Sequence, residues 1–144
     1  MALNIVKLAV GAGSIEDLED WQSRQIRVRK AQGQPARPVC ATRMRPKRET
    51  EVLDGGSLYW VINHLIVVRQ RILAITSGTD IDGRKGCLLE LDPALVRTEV
   101  SPKRPFQGWR YLTTADAPKD LANAQGEAVV PPALMRQLQE AGVW

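Results

Sequence analysis

From Ser57 to Ser77 the chain runs without a glycine or proline and is crowded with β-branched residues: Val61, Ile62, Ile66, Val67, Val68, Ile72, Ile75 and Thr76. Such side chains lose rotamer freedom in a helix but pack well on a pleated surface, so the stretch favours strands. Asn63-His64, both tolerant of turns, divide it, and the spacing predicts a hairpin of Leu58–Ile62 with Leu65–Ile75. A buried helix is the alternative, because a short apolar run does not declare itself by periodicity alone. Arg69, Gln70 and Arg71 interrupt the run, so it cannot cross a bilayer as one apolar helix, and no transmembrane span is expected.

The segments on either side follow the same reading. Asn4 to Val10 reads as a short strand ending at Gly11-Ala12-Gly13. Those glycines match neither GxGxxG nor the P-loop pattern and mark a plain turn. Ser14 then caps a helix, with Asp17 at the reciprocal position of a capping box. Ile15, Leu18 and Trp21 are expected to form the buried face of that helix, which reaches Ala31 before Gly33. Val39 to Thr42 is a brief strand, and Lys47 to Leu53 make one or two helical turns closed by Gly55. Beyond the hairpin, Thr79 to Gly83 turn, and Gly86–Leu91 and Leu95–Val100 return as strands of an antiparallel meander. Asp116 to Leu121 form at most one or two turns, and Pro131-Pro132 start a last helix.

Charge is unevenly spread. The net charge is +4, yet the stretch between Gln22 and Arg48 holds nine basic residues and no acid, leaving 11 of the 20 basic residues against all 16 acids elsewhere. Clusters of this kind attract polyanions through counterion release. Arg24, Arg27, Arg29 and Lys30 also have a structural reason to be there, since bases at a helix C-terminus complement its dipole. Arg43, Arg45, Lys47 and Arg48 have no such reason: their spacing is not amphipathic, and they read as a loop that presents charge.

Catalytic constellations fare poorly. His64 is the only histidine, so metal sites of the HExxH type and Ser-His-Asp pairings lose their partners, and a turn role suits it better. Glu49 and Glu51 do not converge on one helix face. Cys40 and Cys87 stand far apart without a CxxC spacing and read as buried free thiols. No metal and no cofactor is expected. The opening residues, Met1 to Lys7, lack the basic and apolar regions of a signal peptide, which argues for a cytoplasmic protein.

Cations interleaved with aromatics make the better case. Tyr59 and Trp60 follow the Arg43–Arg48 run, and Phe106, Gln107, Trp109 and Tyr111 follow Arg104 and surround Arg110. Arg69 and Arg71 alternate on one face of the second hairpin strand. Cations for phosphate and π-faces for bases are the ingredients of single-strand or flipped-base recognition, and stacking contributes about 1–3 kcal/mol per base. The expected interface is therefore Arg43, Arg45, Lys47, Arg48, Trp60, Arg69, Arg71, Arg104, Phe106, Gln107, Trp109 and Arg110. The opposing expectation is that Trp60 and Trp109 fill the core and the arginines keep the surface solvated.

The motifs Met44-Arg45-Pro46-Lys47-Arg48, Leu53-Asp54-Gly55-Gly56-Ser57-Leu58-Tyr59-Trp60-Val61-Ile62, Arg69-Gln70-Arg71-Ile72-Leu73 and Pro105-Phe106-Gln107-Gly108-Trp109-Arg110-Tyr111-Leu112 resemble a family of short alphaproteobacterial proteins, domain-of-unknown-function family 1489. A more distant similarity is to the PUA-like superfamily with its ASCH and EVE domains, carried by Ser14-Ile15-Glu16-Asp17-Leu18 and by Gly56-Ser57-Leu58-Tyr59-Trp60 followed by Val67 to Ile75. That resemblance implies one α+β domain over residues 1–144: a small mixed or antiparallel β-barrel with flanking helices. It further implies a cleft for RNA or a modified nucleotide, lined by Arg43, Lys47, Trp60 and the Phe106–Tyr111 segment. A nucleic-acid partner, no membrane and no catalysis are the leading expectations. The alternatives are a nucleic-acid-directed hydrolase, an amidohydrolase or nuclease on an ASCH-like scaffold with Lys47 and Glu49 foremost, and a protein-interaction module using the 106–112 segment.

Overall fold

The computed structural model describes residues 2–79, 85–104, 106 and 108–121. In chain order these form β1 (Leu3–Leu8), α1 (Ile15–Ala31), β2 (Val39–Thr42), α2 (Glu49–Leu53), β3 (Ser57–Ile62), β4 (Leu65–Thr79), β5 (Lys85–Leu91), β6 (Val96–Pro102) and β7 (Trp109–Thr113). The expected Asp82-Gly83 turn and the helix after Pro131-Pro132 lie outside the described residues.

The long apolar stretch is a hairpin, not a helix. Asn63 and His64 adopt φ of 51° and 67°, the left-handed pair that a two-residue turn needs to match the twist of its strands. Asn63 also donates its side-chain amide to the carbonyl of Gly13 at 2.7 Å, tying the hairpin tip to the β1–α1 turn. At the other end of β3, Gly55 carries φ of 94° as the chain leaves α2. Gly56 is required for a different reason: a Cβ there would lie 2.2 Å from the Leu3 carbonyl oxygen and 2.4 Å from that of Val52.

Helix α1 begins as its sequence dictates. Ser14 Oγ accepts from the Asp17 backbone N–H at 3.1 Å, with acids in the first turn and Arg29 and Lys30 in the last. Its buried face is Ile15, Leu18 and Gln22, and the expected Trp21 is 43% exposed. At 100° per residue, the i+7 position lies closer to the Ile15–Leu18 direction than i+6 does. The polar residue is tolerated because it is fully paired. Gln22 and Gln70 exchange side-chain amide bonds of 2.7 and 2.8 Å, Trp60 Nε1 donates to Gln70 Oε1 at 2.8 Å, and Gln70 Nε2 reaches the Asp92 carbonyl at 3.0 Å. Among the described residues no buried side-chain nitrogen or oxygen lacks a partner.

The seven described strands form one mixed sheet, six of them in the order β2-β5-β4-β3-β1-β7 and β6 off this path beside β4. Among the described strands only β1 and β3 pair in parallel, as the passage through α1, β2 and α2 between them allows. The expected meander is replaced by a different path. β6 pairs with the first half of β4 (Leu65 to Arg69) and β5 with the second (Ile72 to Thr79), so both share one edge of the long strand, while β2 occupies the far edge of β5. Irregularities at Trp60/Val61, Ile66/Val68 and Ile72/Ala74 bend the sheet at this branch.

The expected barrel is not closed. Among the described residues no ladder joins β7 to β2. The sheet nevertheless curls: β1 and β2 are four strands apart, about 19 Å in a flat sheet, yet both line one cleft. The curled face encloses the main core, in which Leu3, Ile5, Leu58, Trp60, Val68, Ile72, Leu89 and Leu91 pack with Ile15, Leu18 and Val52 of the helices. A smaller cluster, Val6, Tyr59, Val61, Ile66 and Leu112, covers the opposite face beneath Phe106 and Ala117.

Candidate functional site

The basic loop after β2 docks on the aromatic residues of β7. Trp109 Nε1 donates to the Met44 carbonyl at 2.9 Å, and the Arg48 backbone N–H donates to Tyr111 Oη at 3.1 Å. Trp109 and Tyr111, two apart on one face of β7, meet edge to face with centroids 4.8 Å apart. The Arg48 guanidinium lies 5.8 Å from the centre of the Tyr111 ring. Arg43, Met44, Arg45, Lys47 and Arg48 are all exposed, whereas Pro46 is buried and seats the loop. Segments sixty residues apart in sequence thus form one ridge of cations beside two rings.

Arg45 and Arg48 hold carboxylates of the described residues. Arg45 Nε bonds Glu49 at 2.7 Å and its terminal nitrogens reach the Ile75 carbonyl and Ser77 Oγ. Arg48 grips both oxygens of Glu51, which holds that carboxyl below the usual glutamate range. Exposed, solvent-screened pairs of this kind exchange for a phosphate at little cost. Glu49 is committed to Arg45, and Lys47 has no hydrogen bond to it.

The other expected residues divide. Trp60 is 2% exposed and bound to Gln70, so it is a core residue and not an accessible stacking platform. Arg69 clips the 113–121 segment to β4: it bonds both Asp120 oxygens at 2.7 Å and Ser57 Oγ at 3.0 Å, and holds the Asp120 carboxyl below its ordinary range. Arg71 is exposed and sits opposite Ser57 in register, on the face of Arg69. Phe106 is half-buried against the smaller cluster, with Arg110 and Lys103 at 5.5 and 6.0 Å from its ring centre. Phe106 and Arg110 therefore lie on the sheet face opposite Trp109, which packs on the main core. Arg104 is exposed, and Gln107 lies outside the described residues. The three rings make no bare apolar patch, since two of them carry a guanidinium.

A cleft of about 640 Å³ opens next to the ridge, between α1 and the β1 and β2 strands. Its lining includes Lys7, Asp20, Trp21, Arg24, Cys40 and Trp60. Lys7 stands level with Trp60 on one side and Trp109 on the other, continuing the inward set Leu3 and Ile5. Sequence reasoning overlooked it, although a lysine at the inward period of a strand was the available signal. Cys40 is buried, and burial pushes its thiol up to about 11 despite the nearby Lys7. Among the described residues no three His, Cys, Asp or Glu side chains converge as a metal ion would need.

Fold and site together define an α+β protein on an open, curled, mixed sheet with a basic and aromatic ridge where its two ends meet. The chain belongs to the DUF1489 family, proteins of unknown function, whose model it matches over residues 5–144. No curated protein and no solved structure matches it.

Proposed function

We infer that the protein binds single-stranded RNA or a modified nucleotide, without catalysis, on the ridge formed by the Arg43–Arg48 loop and β7. The observation that carries this reading is the bond from Trp109 to the Met44 carbonyl, which holds a cationic loop against two aromatic rings. Cations track a phosphate backbone, and Tyr111, 37% exposed, offers a face to a base. Phe106 and Arg110 lie on the opposite face and Trp60 lies inside, so the binding set is Arg43, Arg45, Lys47, Arg48, Trp109 and Tyr111. The curled sheet, with a strand-helix opening and a parallel β1–β3 pair, supports a PUA-like assignment for the architecture. No helix among the described residues is long and apolar enough to cross a membrane, which is compatible with a cytoplasmic role.

The test is a fluorescence-anisotropy titration of labelled single-stranded RNA at several salt concentrations. Binding should weaken steeply with salt. Tyr111→Ala should cost about 1–3 kcal/mol, the value of one stacked base. No binding at low salt, or affinity unmoved by Tyr111→Ala and Arg45→Ala together, removes the reading.

A further inference from the structure

The cleft beside the ridge is lined by a cation, Lys7, that no described residue engages. Lys7 is half-buried, on the curled face between two indoles, and no hydrogen bond or ion pair engages its ammonium among the described residues. An ammonium that lines a cleft without a described partner is free to engage an anionic ligand there. The nearest helix presents a complementary stripe. Asp20, Trp21 and Arg24 lie within one turn of α1 and line the cleft, with Trp21 exposed and neither charge paired among the described residues. The carboxylate of Asp17 is already taken by the Gly13 backbone N–H at 2.9 Å.

We propose that this cleft binds a nucleoside monophosphate, with Lys7 and Arg24 holding the phosphate, Trp21 stacking on the base and Asp20 accepting from its N–H groups. Two cations match a phosphate dianion, and a lone carboxylate beside an exposed indole matches the donor edge of a heterocycle. The volume falls within the range of small-molecule sites, about 300–1,000 Å³. A simple aromatic carboxylate would leave one cation and Asp20 unused. Ala41 lines the cleft two residues before Arg43, and Trp109 neighbours Lys7 across the β1–β7 ladder, so the cleft adjoins the segments that carry the proposed RNA ridge. The inference rests on that reading only in taking the ligand to be a nucleotide.

Intrinsic tryptophan fluorescence, with Trp21 as reporter, and calorimetry follow titration with AMP, UMP, their parent nucleosides and inorganic phosphate. The wild type should bind a monophosphate saturably and its nucleoside at least about tenfold more weakly, as loss of a charge-assisted contact requires. Lys7→Met should weaken the monophosphate about tenfold or more, and Lys7→Arg, which keeps the charge, should restore most of it. No saturable monophosphate binding, or equal affinity in folded Lys7→Met protein, overturns the proposal. The same proteins titrated with RNA separate the two ideas. RNA binding without monophosphate binding removes the cleft and leaves the ridge, while the reverse removes the ridge and leaves the cleft.

Discussion

Trp109 and Met44 are joined by an indole N–H to carbonyl bond of 2.9 Å, which links the two ends of the sheet where, among the described residues, no backbone ladder does. The order of the sheet leaves β2 and β7 at opposite edges, and this bond, with that from the Arg48 N–H to Tyr111 Oη, holds the loop after one against the other. The basic ridge therefore depends on side-chain bonds that could be removed without disturbing the strands themselves.

Trp109→Phe keeps an aromatic ring and deletes the donor. It should lower stability by about 1 kcal/mol, the net value of one hydrogen bond, and should free the Arg43–Arg48 loop. Urea denaturation reads the first effect, and faster amide exchange at Arg48 N–H, whose acceptor Tyr111 sits beside Trp109, reads the second.

Gln70 is the centre of the buried amide network and Gln22 a single arm of it. Gln22→Leu leaves part of the Gln70 amide unpaired, at about 1–3 kcal/mol. Gln70→Leu strands Trp60 Nε1, the Gln22 amide and the Asp92 carbonyl at once and should cost distinctly more. In the double variant the losses should be less than additive, because the second change removes a group the first had orphaned. Midpoints of chemical unfolding for the three variants check the order.

Gly55 and Gly56 should differ sharply when changed to alanine. At Gly55 a Cβ would meet only the Ala2 Cβ at 3.8 Å, an ordinary contact, and has only the left-handed φ against it, so Gly55→Ala costs about 1–2 kcal/mol. At Gly56 the new methyl would collide with two backbone oxygens, so β3 must part from β1 or α2. Thermal melts by circular dichroism should show a modest shift for the first and loss of the cooperative transition for the second.

The Arg69–Asp120 clip makes stability depend on acid. Arg69 lowers the folded pKa of Asp120 chiefly through their hydrogen bonds, with burial opposing. A carboxylate whose folded pKa lies below its unfolded value of about 3.9 stabilises fully above that value, and loses its contribution as pH falls through the folded pKa. Asp120→Asn should therefore be less stable than wild type at neutral pH, by under about 1 kcal/mol because the pair is partly exposed. The two should converge in acid, as unfolding midpoints across the pH range will show.

The local elements were legible because their causes are local. Ser14 with Asp17 capping α1, β-branched residues around Asn63-His64, and the glycine pair before β3 each act within a few residues, and each produced the element expected of it. Partners across the sheet were not legible. The meander failed because β4 is long enough to hold β5 and β6 end to end on one edge, a choice no residue of β5 or β6 announces. Trp21 and Gln22 exchanged places because a polar residue in the core is acceptable only if its amide finds another, and Gln70 is forty-eight residues away.

The chain by itself determined the strands, the helix start, the hairpin turn and a polyanion-attracting excess of charge, all of which follow from side-chain shape, backbone preference and sign of charge at neighbouring positions. Only the tertiary structure decided that Trp60 lies within while Trp109 faces the basic loop, that Arg69 is occupied by Asp120, and that Lys7 is left facing a cleft. Those outcomes depend on which distant group arrives within bonding distance after the sheet curls, and hydrogen bonds and ion pairs of a few ångströms leave no trace in the order of residues.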